Sequence, residues 1–298
     1  MADRASVVRV NATTRPGRLD RIRAAAELAR PDLVLGAGIF VVAGEVLALG
    51  HLPPPATALL GFLAGLFVSG SANIANDYFD RDVDRVNRPD RPLPSGRISV
   101  AGLWALFLVF AGAGLASAAL LGPAVLVLAA VAWAVALLYN IRLKEMGLLG
   151  NLAVAFCVSM TVVLGGAAAG MVNGLVLTFA ALAFLFDLGE EIASDTMDIE
   201  GDALRSGRSI AAKRGRAHAL RLSGGVFVLF IALLFLPFLA GWLGPVYFAC
   251  AAAAGLVMAY LVSQLVRSAT IAEGRVLVRR LYLAWGAVMV VFVLASLL

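Results

Sequence analysis

The chain has 298 residues, of which 61% are hydrophobic and 14% charged, with a formal net charge of +5 and a mean hydropathy of +0.93. Soluble globular domains run at about 45–50% apolar and about 25% charged, so the composition excludes a soluble enzyme, a disordered tail and a fibrous chain. Two cysteines, Cys157 and Cys250, lie in apolar runs and give neither a disulfide framework nor zinc-ligand spacing.

In chain order, residues 1–30 form a polar, Arg-rich cytoplasmic or interfacial segment, with a short interfacial helix expected over 20–31 and a boundary at Arg30-Pro31. No cleavable leader is expected, because the first apolar stretch is of spanning length and lacks a small-residue cleavage site. A helix that crosses a bilayer takes about 20 predominantly apolar residues. Nine windows meet that description: 33–50, 55–75, 100–121, 123–140, 148–168, 171–188, 222–241, 244–265 and 281–298. The turns at 51–54, 122–123, 170–171 and 241–245 carry no charge, whereas the N-terminal segment and the connections 81–99, 141–147, 189–221 and 266–280 hold all 24 Lys and Arg. Cytoplasmic loops carry the Lys/Arg excess, so the N-terminus and these four loops are expected in the cytoplasm. The expected architecture is all-α: a polytopic membrane protein of nine transmembrane helices bundled around a central cavity. Clustering of the positive charge accounts for the basic balance through topology and anionic-lipid attraction, and no nucleic-acid partner or obligate protein partner is expected. Ser-Gly-Arg recurs at 95–97 and 206–208, four spans apart. It suggests one domain, 31–298, made of two four-helix halves (about 31–145 and 146–265) plus the ninth helix.

The 19 acids carry the functional signal, because 12 of them fall in two short windows, 77–90 and 187–202, where expected spans reach the cytoplasm. Acids at membrane depth are rare and mark function. Asn76, Asp80 and Asp84 are spaced i, i+4, i+8 and share one helical face; Asp77 joins that stripe, and Asp82 points elsewhere. Glu191, Asp195, Asp198 and Asp202 step by four, three and four, again one stripe if the segment is helical. Stacked carboxylates repel, so a cation belongs between the stripes. Oxygen-only ligands suit Mg²⁺ or another hard ion, which commonly bridges to substrate phosphate. The candidate metal ligands are Asp77, Asp80, Asp84, Asp195, Asp198 and Asp202. Arg88 and Arg91 after the first stripe, and Arg208 and Lys213 after the second, suit phosphate oxygens. Glu45, alone within the first span, is either a further functional acid or a helix–helix hydrogen-bonding group.

At these residues the chain resembles the UbiA-type intramembrane prenyltransferases. Asn-x3-Asp-x3-Asp falls on Asn76, Asp80 and Asp84, Asp-x3-Asp falls on Asp198 and Asp202, and Asn-Arg-Pro-Asp-Arg-Pro-Leu-Pro-Ser-Gly stands at 87–96. Asp-Ile-Glu-Gly-Asp at 198–202 and the Tyr139…Lys144…Gly150-Asn151 stretch look closest to the archaeal digeranylgeranylglyceryl phosphate synthase branch. That branch often carries Arg and Lys where this chain has Glu190 and Ser194. The resemblance implies a Mg²⁺-dependent transfer from an isoprenyl diphosphate, geranylgeranyl diphosphate favoured, to a lipid-soluble acceptor within membrane lipid. The acceptor it favours is geranylgeranylglyceryl phosphate; the alternative is an aromatic such as 4-hydroxybenzoate or a quinone- or chlorophyll-type precursor. It implies catalytic roles for Asn76, Asp80, Asp84, Asp198 and Asp202, and substrate binding by Arg88, Arg91, Tyr139, Lys144, Asn151, Arg208 and Lys213. The site is expected to open to the cytoplasm from the cell membrane. A secondary transporter is a less favoured reading, since the acids sit together at one side rather than at the midplane.

Overall fold

The computed structural model describes residues 17–197 and 209–297, and all its regular elements are helices. In chain order they are α1 (Arg18–Ala29), α2 (Pro31–Leu49), α3 (Pro55–Phe79), α4 (Arg81–Asn87), α5 (Val100–Leu121), α6 (Pro123–Ile141), α7 (Leu148–Ala168), α8 (Gly174–Ser194), α9 (Ile210–Arg214), α10 (Arg216–Leu233), α11 (Leu236–Leu239), α12 (Pro245–Arg267) and α13 (Ile271–Ala295). The boundaries follow local chemistry. Proline opens α2, α3, α6 and α12, where its missing N–H is not needed. Side chains of Ser99, Asn173 and Thr270 cap α5, α8 and α13 by accepting from Gly102, Val176 and Glu273 N–H groups.

Among the described residues, eight helices are long and apolar enough to cross a membrane. The remaining expected window, 171–188, corresponds to the helix α8. It has 21 residues but falls short on composition, because Asp187, Glu190 and Glu191 occupy its second half. It packs against α2, α7, α10 and α13 inside the bundle. Outward faces remain apolar: Leu108, Leu120, Val228, Leu256 and Leu283 are all more than half exposed, as lipid contact requires.

Several expected boundaries move, the starts of α13 and α10 by the most among helix starts. The last helix begins at Ile271, ten residues before the expected start, so the expected 266–280 loop shrinks to residues 268–270. Thr270 and Glu273 form a reciprocal capping box there, and the Arg216 guanidinium fixes the turn by donating to Ser268 O (2.5 Å) and Thr270 O (3.1 Å). Arg275, Arg279 and Arg280 therefore lie on helix. Likewise α10 starts at Arg216 rather than 222. In both cases the helix runs on beyond the apolar window into polar sequence.

Close packing rests on glycine. A Cβ added to Gly165 of α7 would lie 1.9 Å from Val41 O of α2, and one on Gly44 would lie 2.2 Å from Val162 O. Backbones of α2 and α7 thus touch, as small residues allow in membranes. Helix α1 buries Ala24 and Leu28 while leaving Leu19 and Ile22 exposed. Its Glu27 accepts two bonds from the Arg97 guanidinium, at 2.9 and 2.6 Å, which hold the Glu27 carboxyl below its usual range.

Candidate active site

The first acidic stripe is built by an almost unbroken helix. Asp80 ends α3 and precedes α4, yet amide hydrogen bonds run from Asp80 to Asn76 O (2.9 Å), Asp84 to Asp80 O (2.8 Å) and Arg88 to Asp84 O (2.8 Å). Asn76, Asp80 and Asp84 are therefore one turn apart in series. Asp82 points elsewhere, 69% exposed at its side chain and bonded to Arg85 at 2.7 Å.

Each acid of the stripe holds a basic side chain from another part of the fold. The Lys144 ammonium donates to Asp80 at 2.5 Å. The Arg91 guanidinium donates to Asp84 at 2.7 Å and to Asp77 at 3.4 Å. The Arg30 guanidinium donates to Asp77 at 2.9 Å and to Asn76 Oδ1 at 3.1 Å. The Asn76 amide in turn donates to Asn140 Oδ1 (2.8 Å), whose own amide reaches Ala72 O (2.9 Å). Asp77 and Asp84 are buried, with the charged partners completing their hydrogen bonding, as low-dielectric surroundings demand.

The second stripe comes alongside through α7 and the turn before it. Lys144, besides holding Asp80, lies within electrostatic reach of Glu191. The buried Asn151 at the start of α7 donates to Asp195 Oδ2 at 3.0 Å. Asp195 closes α8, so Asp187, Glu191 and Asp195 stand one turn apart along it. Asp198, Asp202, Arg205 and Arg208 lie outside the described residues. Arg88 and Lys213 are exposed, and half-buried Tyr139 packs over Gly150. Of the expected substrate-binding set, Arg91, Lys144 and Asn151 thus converge directly on the acids.

Four further residues belong to this region without having been expected there. Arg30 is the one described non-glycine residue with positive φ (54°), a conformation that turns its side chain off the α1–α2 junction onto Asn76 and Asp77. Its signal was an arginine directly before the proline that opens a span. Asn140 is an amide at the end of an apolar helix, a pattern that marks function in membranes. Glu190 and Tyr282 meet across α8 and α13, where the tyrosine hydroxyl donates to Glu190 Oε2 at 2.8 Å and Ser194 donates to Oε1. No sequence spacing links positions 92 apart.

Acids of α3–α4 paired with basic side chains, and acids of α8 reached by Asn151, come together at one end of an apolar helical bundle, the arrangement of a candidate site in a helical membrane protein. The UbiA prenyltransferase family profile matches residues 37–284. The digeranylgeranylglyceryl phosphate synthase of Thermococcus kodakarensis is 37% identical over 216 residues, covering 72% of this chain and 77% of the relative. That of Methanopyrus kandleri is 38% identical, covering 80% and 86%. A solved digeranylgeranylglyceryl phosphate synthase structure superposes with a TM-score of 0.80 at 24% identity, over 93% of this chain and 99% of its own. An Archaeoglobus fulgidus UbiA homologue, bound to GPP and Mg²⁺, superposes with a TM-score of 0.69 at 19% identity, over 92% and 99%. The chain belongs to the UbiA prenyltransferase family, and it is a multi-pass membrane prenyltransferase.

Proposed function

We propose that the protein transfers an isoprenyl group, geranylgeranyl favoured, from its diphosphate to geranylgeranylglyceryl phosphate, forming an ether lipid at the cytoplasmic side of the cell membrane. The observation that carries this reading is the convergence of the two stripes: Lys144 holds Asp80 and lies within electrostatic reach of Glu191, while Asn151 holds Asp195. The names of relatives 31–38% identical to the chain supply the acceptor.

Magnesium fits the residues present. Asp80, Asp84 and Asp195 offer carboxylate oxygen and Asn76 amide oxygen, the donor chemistry of a hard dication. Among the described residues no cluster of three or more His, Cys, Asp or Glu stands ready to hold a metal, and Asp80 and Asp84 hold Lys144 and Arg91. We therefore assign Asp80 and Asp84, with Asp195, Asp198 and Asp202, as the groups that hold Mg²⁺. When bound, the ion neutralises charge that builds on the leaving diphosphate.

The chain's own residues carry the remaining roles. Arg91 and Lys144, already beside Asp84 and Asp80, turn to the diphosphate oxygens and stabilise the charge released as the allylic C–O bond breaks. Arg30, fixed on Asn76 and Asp77, keeps that arm of the site aligned. Asn151 orients Asp195. The apolar bundle takes the isoprenoid tail and excludes water from the allylic cation.

The test is turnover of radiolabelled geranylgeranyl diphosphate by purified protein with Mg²⁺, offered geranylgeranylglyceryl phosphate or 4-hydroxybenzoate in parallel. The expected result is an ether lipid, lost with EDTA and reduced at least about 100-fold in Asp80→Ala, the order of removing a main electrostatic contact. Product from the aromatic alone would replace the acceptor, and no product from either would overturn the reading.

A further inference from the structure

Asp187 lies on α8, two turns below Asp195 and deeper in the bundle, and its part in the reaction is not yet assigned. It is 8% exposed, and among the described residues its Oδ2 has no hydrogen-bond donor. A buried carboxylate oxygen without a donor is costly and stands ready for one. Its surroundings are polar and specific. Glu190 and Glu191 come from its own helix, and Tyr282 of α13 bonds Glu190 and stands against the adjoining Phe186. Both oxygens of Glu190 are already taken, by the hydroxyls of Ser194 and Tyr282, so Asp187 holds the unfilled position of the group. Tyr282 is 47% exposed while the acids behind it are buried, which makes its ring the open side of the cluster. Phe186, stacked on Trp285 at 5.2 Å and 5.6 Å from Tyr282, supplies an apolar wall beside it.

We propose that Asp187, Glu190, Ser194 and Tyr282 form the site for the acceptor's hydroxyl, and that Asp187 takes its proton. This rests on prenyl transfer to an oxygen nucleophile, as proposed above. The hydroxyl enters past Tyr282 and donates to Asp187 Oδ2. As the allylic C–O bond to diphosphate breaks, its electron pair leaves with the diphosphate. The acceptor oxygen forms the new C–O bond, and its proton passes to the Asp187 carboxylate, so that charge and atoms balance without another reactant. Glu190, held by two hydroxyls, fixes Tyr282 and thereby the entry side.

The experiment compares wild type, Asp187→Asn and Tyr282→Phe as full-length protein with geranylgeranyl diphosphate, Mg²⁺ and geranylgeranylglyceryl phosphate. A parallel arm uses the same acceptor with a thiol in place of its hydroxyl. Loss of a general base costs about 10²–10⁴-fold, so Asp187→Asn is expected to lose at least about 100-fold in kcat while its donor Kd is unchanged. On the thiol acceptor, which gives up its proton readily, the deficit is expected to fall below about tenfold. Tyr282→Phe is expected to raise the acceptor KM with little change in kcat. Wild-type turnover by Asp187→Asn, or an equal deficit on hydroxyl and thiol, would overturn the proposal. So would a Tyr282→Phe enzyme with unaltered acceptor KM. If wild type itself transfers nothing, the prenyl-transfer reading fails first, an outcome distinct from these.

Discussion

Lys144 shows how a residue whose plain reading is topological becomes part of a site. Its sequence context is that of a positive charge in a short cytoplasmic turn. The fold places its ammonium 2.5 Å from Asp80 and in the field of Glu191, acids about a hundred residues apart in sequence. Hydrogen bonds to charged groups contribute about 1.5–3 kcal/mol, equivalent to about 10–150-fold. Lys144→Met is therefore expected to lower kcat/KM for the diphosphate donor by that factor, and Lys144→Arg to retain most of it, in steady-state assays over donor concentration. Equal rates for wild type and Lys144→Met would remove Lys144 from the site. Helical spacing made Asn76, Asp80 and Asp84 legible as one stripe. It had no means of revealing Arg30, whose reach depends on a left-handed backbone at φ 54°, nor the Glu190–Tyr282 bond, which only tertiary packing creates.

At the scale of elements, helix positions follow from apolar runs, while the contacts between helices follow from where side chains are missing. The windows located α5, α6 and α7 to within a residue or so. They misplaced the starts of α10 and α13, because capping and polar turns extend helices beyond the membrane. The contact of α2 with α7 is the tightest of the pairings set by glycine. An added methyl at Gly165 would sit 1.9 Å from Val41 O, whereas one at Gly112 meets nothing within 4 Å. Overpacking a well-packed site costs about 1–3 kcal/mol. Gly165→Ala is therefore expected to lower the thermal midpoint in detergent by several degrees, and Gly112→Ala to leave it unchanged, when soluble monodisperse protein is followed against temperature. Since α7 carries Asn151 toward Asp195, the same variant is expected to lose activity in parallel. A midpoint equal to that of Gly112→Ala would show that the two backbones do not meet.

For the molecule as a whole, the arrangement of the two acid stripes depends on α8 crossing the membrane. By composition α8 is the exception among the long helices, since three of its 21 residues are acids. Its two ends nevertheless meet opposite ends of its neighbours. The Asn173 amide that precedes it donates to Ala48 O at 3.1 Å, at the far end of α2, while Asp195 at its other end meets Asn151 at the start of α7. A 21-residue helix at 1.5 Å per residue is about 31 Å long, the thickness of a hydrocarbon core. With α8 counted as a crossing, the expected nine would put every charged connection on one side and both stripes with them. Without it, the second stripe would emerge opposite the first, and Lys144 at Asp80 would not feel the field of Glu191. Single cysteines introduced at His51, Met171, Ser95 and His218, in a background with Cys157 and Cys250 replaced by alanine, test this in intact cells. A membrane-impermeant maleimide is expected to label His51→Cys and Met171→Cys directly, and Ser95→Cys and His218→Cys only after permeabilisation. The pair Met171 and His218 brackets α8. Labelling of both from the same side would mean that α8 turns back within the membrane and that the two halves of the site do not share the cytoplasmic face.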